Sequence, residues 1–489
     1  MQLLINDEWL LGEGEPIMLN NPSTGLLSWE GKAASLRQVD DAIKAASAAF
    51  KIWSSTALAE RINVLHAYAQ ALESQQLALA ECISEETGKP LWESKTEVTG
   101  MIGKIAISVE AYQVRTGMSE KTITNGISVL KHKPLGVMGV LGPFNFPGHL
   151  PNGHIVPALL AGNTIVFKPS ELTPQTAIFM MKLWQKAGLP AGVLNLILGK
   201  GDVGQILTTN LNVKGILFTG SYATGKRLYL ECADQPEKLL ALEMGGNNPL
   251  IVSQIKNKEA AAYNIIQSAF ITAGQRCTCA RRLIIPTGSD GDELLSILIG
   301  WMDCIRIGHW RDEPEPFMGP VISVDAANAI LKKQEELITE GGEALVLMRH
   351  LNPETGLLSP ALIDVTANKE RDDTEIFGPL LQVIRVADFE EALRVANETH
   401  YGLVAGLQSD SRKEYEQFYE AMQVGVLSWN RATTGASSAQ PFGGIGWSGN
   451  YRPSGYYAAD YCAYPVSSSE SSQLVMPAAL TPGLDGKKE

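Results

Sequence analysis

The chain has 489 residues, 45% of them apolar, which is length for about three domains and ample material for large hydrophobic cores. Its 40 Lys and Arg stand against 53 Asp and Glu, a net charge of −13, and this argues against a surface for nucleic acid or for an anionic membrane. An acidic ligand would therefore have to be held by a few placed arginines.

The opening Met1–Leu10 carries Asp7 and Glu8 where an export signal needs a basic and then an apolar run. No apolar run reaches membrane-spanning length, since 155–167 is broken by Pro157, Gly162 and Asn163. The six cysteines, at 82, 232, 277, 279, 304 and 462, are too few and scattered for a disulfide framework, so a reducing cytoplasm is expected. No metal is expected either: Cys277 and Cys279 form a lone C-x-C without the further ligands of a zinc site.

Ile5–Trp9 reads as a short strand and Asn21–Gly25 as a turn, followed by helices over 39–53 and 60–85. Residues 128–133 and 136–141 read as extended, the first as part of an arm. The pattern then alternates: strand 164–168, helix 174–187, strand 193–198, helix 202–210, strand 215–219, helix 223–232, strand 238–243. Such alternation predicts βαβ units and a parallel sheet, with ligands bound at the carboxyl ends of its strands. A second alternating region follows Glu243–Pro249: strand 249–253, helix 259–273, strand 282–286, helices 292–303 and 323–340, strands 344–348 and 379–386, helix 388–398 and strand 425–428. The last dozen residues are expected to be poorly ordered, and there is no internal repeat.

Two stretches at strand ends invite a functional reading. Gly220-Ser221-Tyr222-Ala223-Thr224-Gly225 places a helix start directly after a strand, so its amides and dipole can face a pyrophosphate. It lacks both the phosphate-loop Lys and the G-x-G-x-x-G pattern, and a plain strand-to-helix turn fits it as well. Gly274-Gln275-Arg276-Cys277-Thr278-Cys279 places a thiol after a small-residue helix, with Arg276 and nearby amides in a position to favour the thiolate. A buried structural cysteine is the alternative. On sequence alone Glu243 reads equally as a hinge salt bridge, and Asn145 as a turn cap.

Together, Pro143-Phe144-Asn145-Phe146-Pro147, Phe167-Lys168-Pro169-Ser170-Glu171, Phe218-Thr219-Gly220-Ser221, Glu243-Met244-Gly245-Gly246-Asn247, Gly274-Gln275-Arg276-Cys277, Glu375-Ile376-Phe377-Gly378-Pro379 and Pro441-Phe442-Gly443-Gly444 resemble the aldehyde dehydrogenase superfamily, in its order and over nearly the whole chain. The resemblance implies an α/β fold of two Rossmann-type parallel-sheet domains plus a small oligomerisation arm. It divides the chain into a cofactor domain (1–114 and 136–243), a catalytic domain (244–440), and an arm with C-terminal tail (115–135 and 441–489). It implies Cys277 as nucleophile, Asn145 with the Cys277 amide as oxyanion donors, and Glu243 as the base for water. NAD is the implied cofactor, with Lys168 and Glu171 on the adenosine ribose, Glu375 on the nicotinamide ribose and Phe377 beside the ring. A homodimer or homotetramer is implied as well.

Three further stretches, 275–282, 429–436 and 441–461, together with 146–154, narrow the resemblance to enzymes oxidising the 5-semialdehyde of N-succinylglutamate in arginine breakdown. Succinate semialdehyde or an amino-aldehyde is the alternative substrate, and an acylating or a non-catalytic protein the alternative class. Two substrate carboxylates call for bidentate cations. Arg431, in the loop implied to cover the substrate mouth, is the first candidate; Arg281 and Arg115 follow, each equally readable as a structural salt bridge.

Overall fold

A computed structural model describes residues 2–124, 126–368, 371–477 and 479–484. Two seven-stranded sheets, each packed against helices, carry the chain. In the first, parallel strands lie in the order Leu239–Met244, Val213–Gly220, Val137–Leu141, Thr164–Lys168, Leu194–Leu196. The hairpin of Leu3–Ile5 and Glu8–Leu10 adds antiparallel to the far edge. Val137–Leu141 comes first of the parallel strands in the chain yet lies in their middle, so the order reverses between it and Val213–Gly220. A crevice opens outside the strand carboxyl ends at such a reversal. Both Val137–Leu141 and Thr164–Lys168 are buried at every residue, as strands covered on two faces must be, and they read as near-continuous apolar runs.

The second sheet runs Glu343–Val346, Ala361–Asp364, Leu380–Val386, Ala280–Pro286, Asn248–Val252, Val404–Gln408, Val426–Trp429 and is parallel except at Glu343–Val346. Only Gly245, Gly246 and Asn247 separate the carboxyl end of one sheet at Met244 from the amino end of the other at Asn248. The carboxyl edge of the first sheet thus meets the amino edge of the second. Apart from both, Ala463–Glu470, Gly126–Pro134 and Ser119–Ile123 form a three-stranded antiparallel sheet whose outer strand is exposed throughout.

Several expected elements change on inspection. Ile5–Trp9 is a hairpin turn, because Asn6 and Asp7 adopt φ of 53° and 69°, the left-handed conformation these residues tolerate. The helix expected over 60–85 is two, Leu58–Ser74 and Gln76–Thr87, broken at Gln75. The helix expected to reach 273 stops at Ala269, and Ile271–Gly274 form a tight turn with Thr272 and Ala273 left-handed. Two helices that border the site were not foreseen as elements with bounds: Leu91–Arg115 and His149–Ala161. The second holds Pro151, Gly153 and Pro157, which mask its periodicity. Of the tail expected to be poorly ordered, 478 and 485–489 lie outside the described residues.

Candidate active site

The loop that carries the thiol is held in a costly conformation. Thr272 and Ala273 have φ of 56° and 51°, and non-glycine residues there cost about 1–3 kcal/mol each unless their surroundings fix them. At Gly274, φ is 70° and a Cβ would come 2.1 Å from the Gly378 carbonyl oxygen, so only glycine fits. The fixing groups are polar. Thr272 Oγ1 donates to Glu93 Oε1 in a short bond, Arg276 Nη2 donates to the same oxygen at 3.0 Å, and Arg276 Nε bonds Thr272 Oγ1 at 2.7 Å. Asn248 Nδ2 donates to both the Cys277 and the Cys279 carbonyls, at 2.6 and 2.9 Å. Cys277 is half-buried and lines the cleft. Cys279 is wholly buried, its Sγ directed at the Ile271 carbonyl.

Arg276 does not act on the thiol as expected, because its guanidinium is spent on Glu93 and Thr272. Burial pushes the Cys277 thiol up to about 12, with Glu375 and Glu243 adding to the shift and Arg281 opposing it.

Glu243 lies at the carboxyl end of Leu239–Met244. It is buried, its Oε1 accepts from the Ser454 amide at 3.1 Å, and its Oε2 has no partner. Burial raises its pKa well above the carboxylate range, while the Ser454 bonds pull the other way. An oxygen without a partner in a buried carboxyl is a candidate proton acceptor.

Asn145 follows the central strand Val137–Leu141, and its Nδ2 donates to the Gln275 carbonyl at 2.8 Å. That bond ties the amide to the thiol loop and leaves its second N–H for another acceptor. Its backbone is fixed from behind: Lys89 Nζ donates to the Asn145 carbonyl at 3.0 Å and pairs with Glu97 in a short bond. Glu97 Oε1 accepts from the Gly148 and His149 amides at 2.8 and 3.0 Å. Sequence reading missed Lys89, Glu93 and Glu97. The available signal was the one-turn spacing of two carboxylates on a helix that starts one residue after Lys89-Pro90.

The other strand ends present cofactor-type groups. Ser221 caps the helix Tyr222–Glu231, accepting from the Thr224 amide at 3.3 Å. Ser221, Tyr222, Ala223 and Thr224 line the cleft with Gly220, while Gly225 packs inward, where a Cβ would meet Met244 Sδ at 2.3 Å. Lys168, buried at the end of Thr164–Lys168, donates to the Gly199 carbonyl at 2.6 Å and lies 3.8 Å from the partly exposed Glu171. Glu375 is held against the inter-sheet glycines: a Cβ on Gly245 would fall 1.7 Å from its Oε2. Phe377 meets Phe144 edge-on, ring centroids 5.9 Å apart. Trp447 stacks between Tyr222 and His400 at 4.4 and 4.3 Å on the same cleft.

This cleft is continuous from Lys168 to the loop 434–438 and has a volume of about 1510 Å³, room for a dinucleotide and a second molecule. A helix start, a buried amine with a neighbouring carboxylate, and glycines that admit close approach at the inter-sheet link all fit a nicotinamide dinucleotide.

The arginines expected at the substrate mouth lie elsewhere. Arg281 is buried and donates to the Gly274 and Arg276 carbonyls and to Glu375 Oε1. Arg115 forks onto Asp460 and lies 3.4 Å from the centre of the Tyr457 ring. Arg431 is exposed, and none of the three lines the cleft.

A thiol, an amide and a buried carboxylate converge beside a dinucleotide-type crevice, which is the equipment of a thiol-dependent aldehyde-oxidising enzyme. The aldehyde dehydrogenase family model matches residues 9–465, and the chain belongs to that family. It is 53% identical to an N-succinylglutamate 5-semialdehyde dehydrogenase of Pseudomonas fluorescens over 482 residues, 99% of each chain. Among solved structures it is similar to betaine aldehyde dehydrogenase of Staphylococcus aureus in complex with NAD+ (26% identity, 98% and 97% of the chains covered, TM-score 0.90). It is also similar to an NADP-dependent glyceraldehyde-3-phosphate dehydrogenase of Bacillus halodurans complexed with NADP (28% identity, 96% and 99% covered, TM-score 0.89).

Proposed function

We propose that the chain oxidises N-succinylglutamate 5-semialdehyde to N-succinylglutamate with NAD and water. The observation that carries this reading is the 53% identity over 99% of both chains to an enzyme of that name. Cys277 attacks the aldehyde carbon as the thiolate, its proton having left to solvent water. The oxyanion of the thiohemiacetal is held by the second N–H of Asn145 and by the Cys277 amide. Bound nicotinamide supplies the hydride acceptor. The acyl group left on Cys277 is released by a water that Glu243 deprotonates, a role suited to a carboxyl whose pKa burial has raised.

Lys168 and Glu171 hold the adenosine ribose, and the Glu171 carboxylate repels a 2′-phosphate, which supports NAD over NADP. Gly220 to Thr224 cradle the pyrophosphate, with Gly225 packed behind them against Met244. Glu375 takes the nicotinamide ribose, and Phe377 packs beside the ring. Residues 1–114 and 136–243 form the cofactor domain and 244–440 the catalytic domain, while 115–135 with 441–489 build the arm and tail. The exposed edge of Ser119–Ile123 offers hydrogen bonds to a second subunit, giving a homodimer or homotetramer in the cytoplasm; a monomer mass by light scattering contradicts that.

The test of the substrate is a kinetic panel of N-succinylglutamate 5-semialdehyde, succinate semialdehyde and an amino-aldehyde, each with NAD and NADP, and with and without coenzyme A. The first substrate with NAD should give the highest kcat/KM and a free acid as product. A higher value with either other aldehyde, or an acyl-coenzyme A product, refutes the reading.

A further inference from the structure

We propose that the Lys104 ammonium receives a carboxylate of the substrate, in a hollow between the helices Leu91–Arg115 and His149–Ala161. The inference rests on the reading of the substrate as a carboxylate-bearing semialdehyde given above, and it answers the question that the displaced arginines leave open.

Lys104 lines the cleft, yet it is only 1% exposed. Among the described residues its one hydrogen-bond partner is a neutral group, the Gly455 carbonyl at 2.6 Å, which leaves two N–H donors for a ligand. A buried cation is stable when paired, and among the described residues no carboxylate pairs with this one. Burial lowers its pKa to about 8, with Cys462 opposing the shift.

The other lysine and arginine side chains on the cleft are occupied. Arg276 is paired with Glu93, Lys168 lies on two carbonyls at the ribose end, and Arg227 faces Glu231 at 3.6 Å.

The walls beside Lys104 are hollowed. Gly103 on its own helix and Gly153 on the facing one both line the cleft, and a Cβ on either would meet nothing within 4 Å. A Cβ on Gly100, one turn back, would meet the His149 ring first, at 3.1 Å. Glycines weaken a helix interior, and here they leave room for a branched substrate. The position suits the chemistry too. Gly455 holds Lys104, and its neighbour Ser454 donates to Glu243, so the ammonium sits a short span beyond the proposed base.

The test compares kcat/KM for N-succinylglutamate 5-semialdehyde with that for a neutral aldehyde of similar length, in the native enzyme and in Lys104→Met. Methionine keeps the apolar stem and removes the charge. The ratio of the two constants should fall about ten- to a hundredfold, chiefly through KM of the carboxylate substrate, as for a lost charge-assisted hydrogen bond. Inhibition by the product dicarboxylate should weaken in parallel. A native preference that Lys104→Met retains within about twofold overturns the assignment while leaving the proposed substrate intact. A native enzyme with no preference for the carboxylate substrate overturns the substrate reading and this inference with it. Should Lys104→Met not fold, Gly153→Leu fills the same hollow: a KM raised for the dicarboxylate semialdehyde more than for a two-carbon aldehyde supports the proposal, and equal changes overturn it.

Discussion

Replacing Lys89 with Met should damage catalysis through Asn145 without touching substrate. The Lys89 and Glu97 side chains are 2% and 0% exposed, so this is a buried pair with little solvent screening. Breaking such a pair from one side costs about 3–5 kcal/mol. Glu97 keeps the Gly148 and His149 amides, which places the stability loss at the low end, about 3 kcal/mol. The catalytic effect follows from the bond lost to the Asn145 carbonyl. Removing an oxyanion donor outright costs about 10²–10³ in kcat; loosening one should cost about ten- to a hundredfold, with KM for NAD little changed. Steady-state kinetics on Lys89→Met, Asn145→Ala and the double variant separate the routes. If Lys89 acts through Asn145, adding Lys89→Met to Asn145→Ala should cost less than about threefold more. Full additivity would refute the reasoning and reduce Lys89 to a structural brace.

Cys277→Ala should abolish NADH formation, whereas Cys279→Ala, which alters a core thiol outside the cleft, should keep most of it; the reverse result moves the nucleophile. Glu243→Gln should leave the acyl-enzyme unhydrolysed and at the same time raise the melting temperature at pH 8. With a raised pKa the folded Glu243 holds a proton that the unfolded chain has released, so its contribution to stability falls as pH rises from the ordinary 4.5 through the folded value. The melting-temperature gain should therefore shrink toward pH 4, and a gain independent of pH would mean that Glu243 carries no such proton. Glu171→Gln should improve kcat/KM with NADP relative to NAD by about fivefold, the scale of a partly solvated charge, and an unchanged ratio would remove Glu171 from cofactor selection.

What the sequence made legible were residues whose chemistry sits at strand ends. Lys168, Ser221 and Glu243 each close a buried apolar run and Asn145 follows one across a Pro-bounded turn, so the alternating pattern put them at strand ends, while the roles expected of Asn145 and Glu243 came only with the family resemblance. Cys277 was legible through its motif, but the charge beside it was misread: Arg276 is adjacent in sequence, and only the fold brings Glu93 of the long helix to claim it. The one-turn spacing of Glu93 and Glu97 was the only trace of the buried pair Lys89–Glu97, and a charged residue on a helix reads as a solvated face until its partner is known. The surroundings of Arg281 were hidden for a similar reason. Four residues past the thiol it looked available, yet it is walled in by the Gly274 and Arg276 carbonyls. Lys104 escaped notice because glycines around it weaken the very helix that would have marked its face.

Trapping the acyl-enzyme tests the central claim most directly. Glu243→Gln enzyme, mixed with N-succinylglutamate 5-semialdehyde and NAD, should release one equivalent of NADH in a burst, and peptide mass spectrometry should find the N-succinylglutamyl acyl group on Cys277 and only when NAD is present. An acyl group on Cys279, or a burst without any adduct on Cys277, would contradict the account.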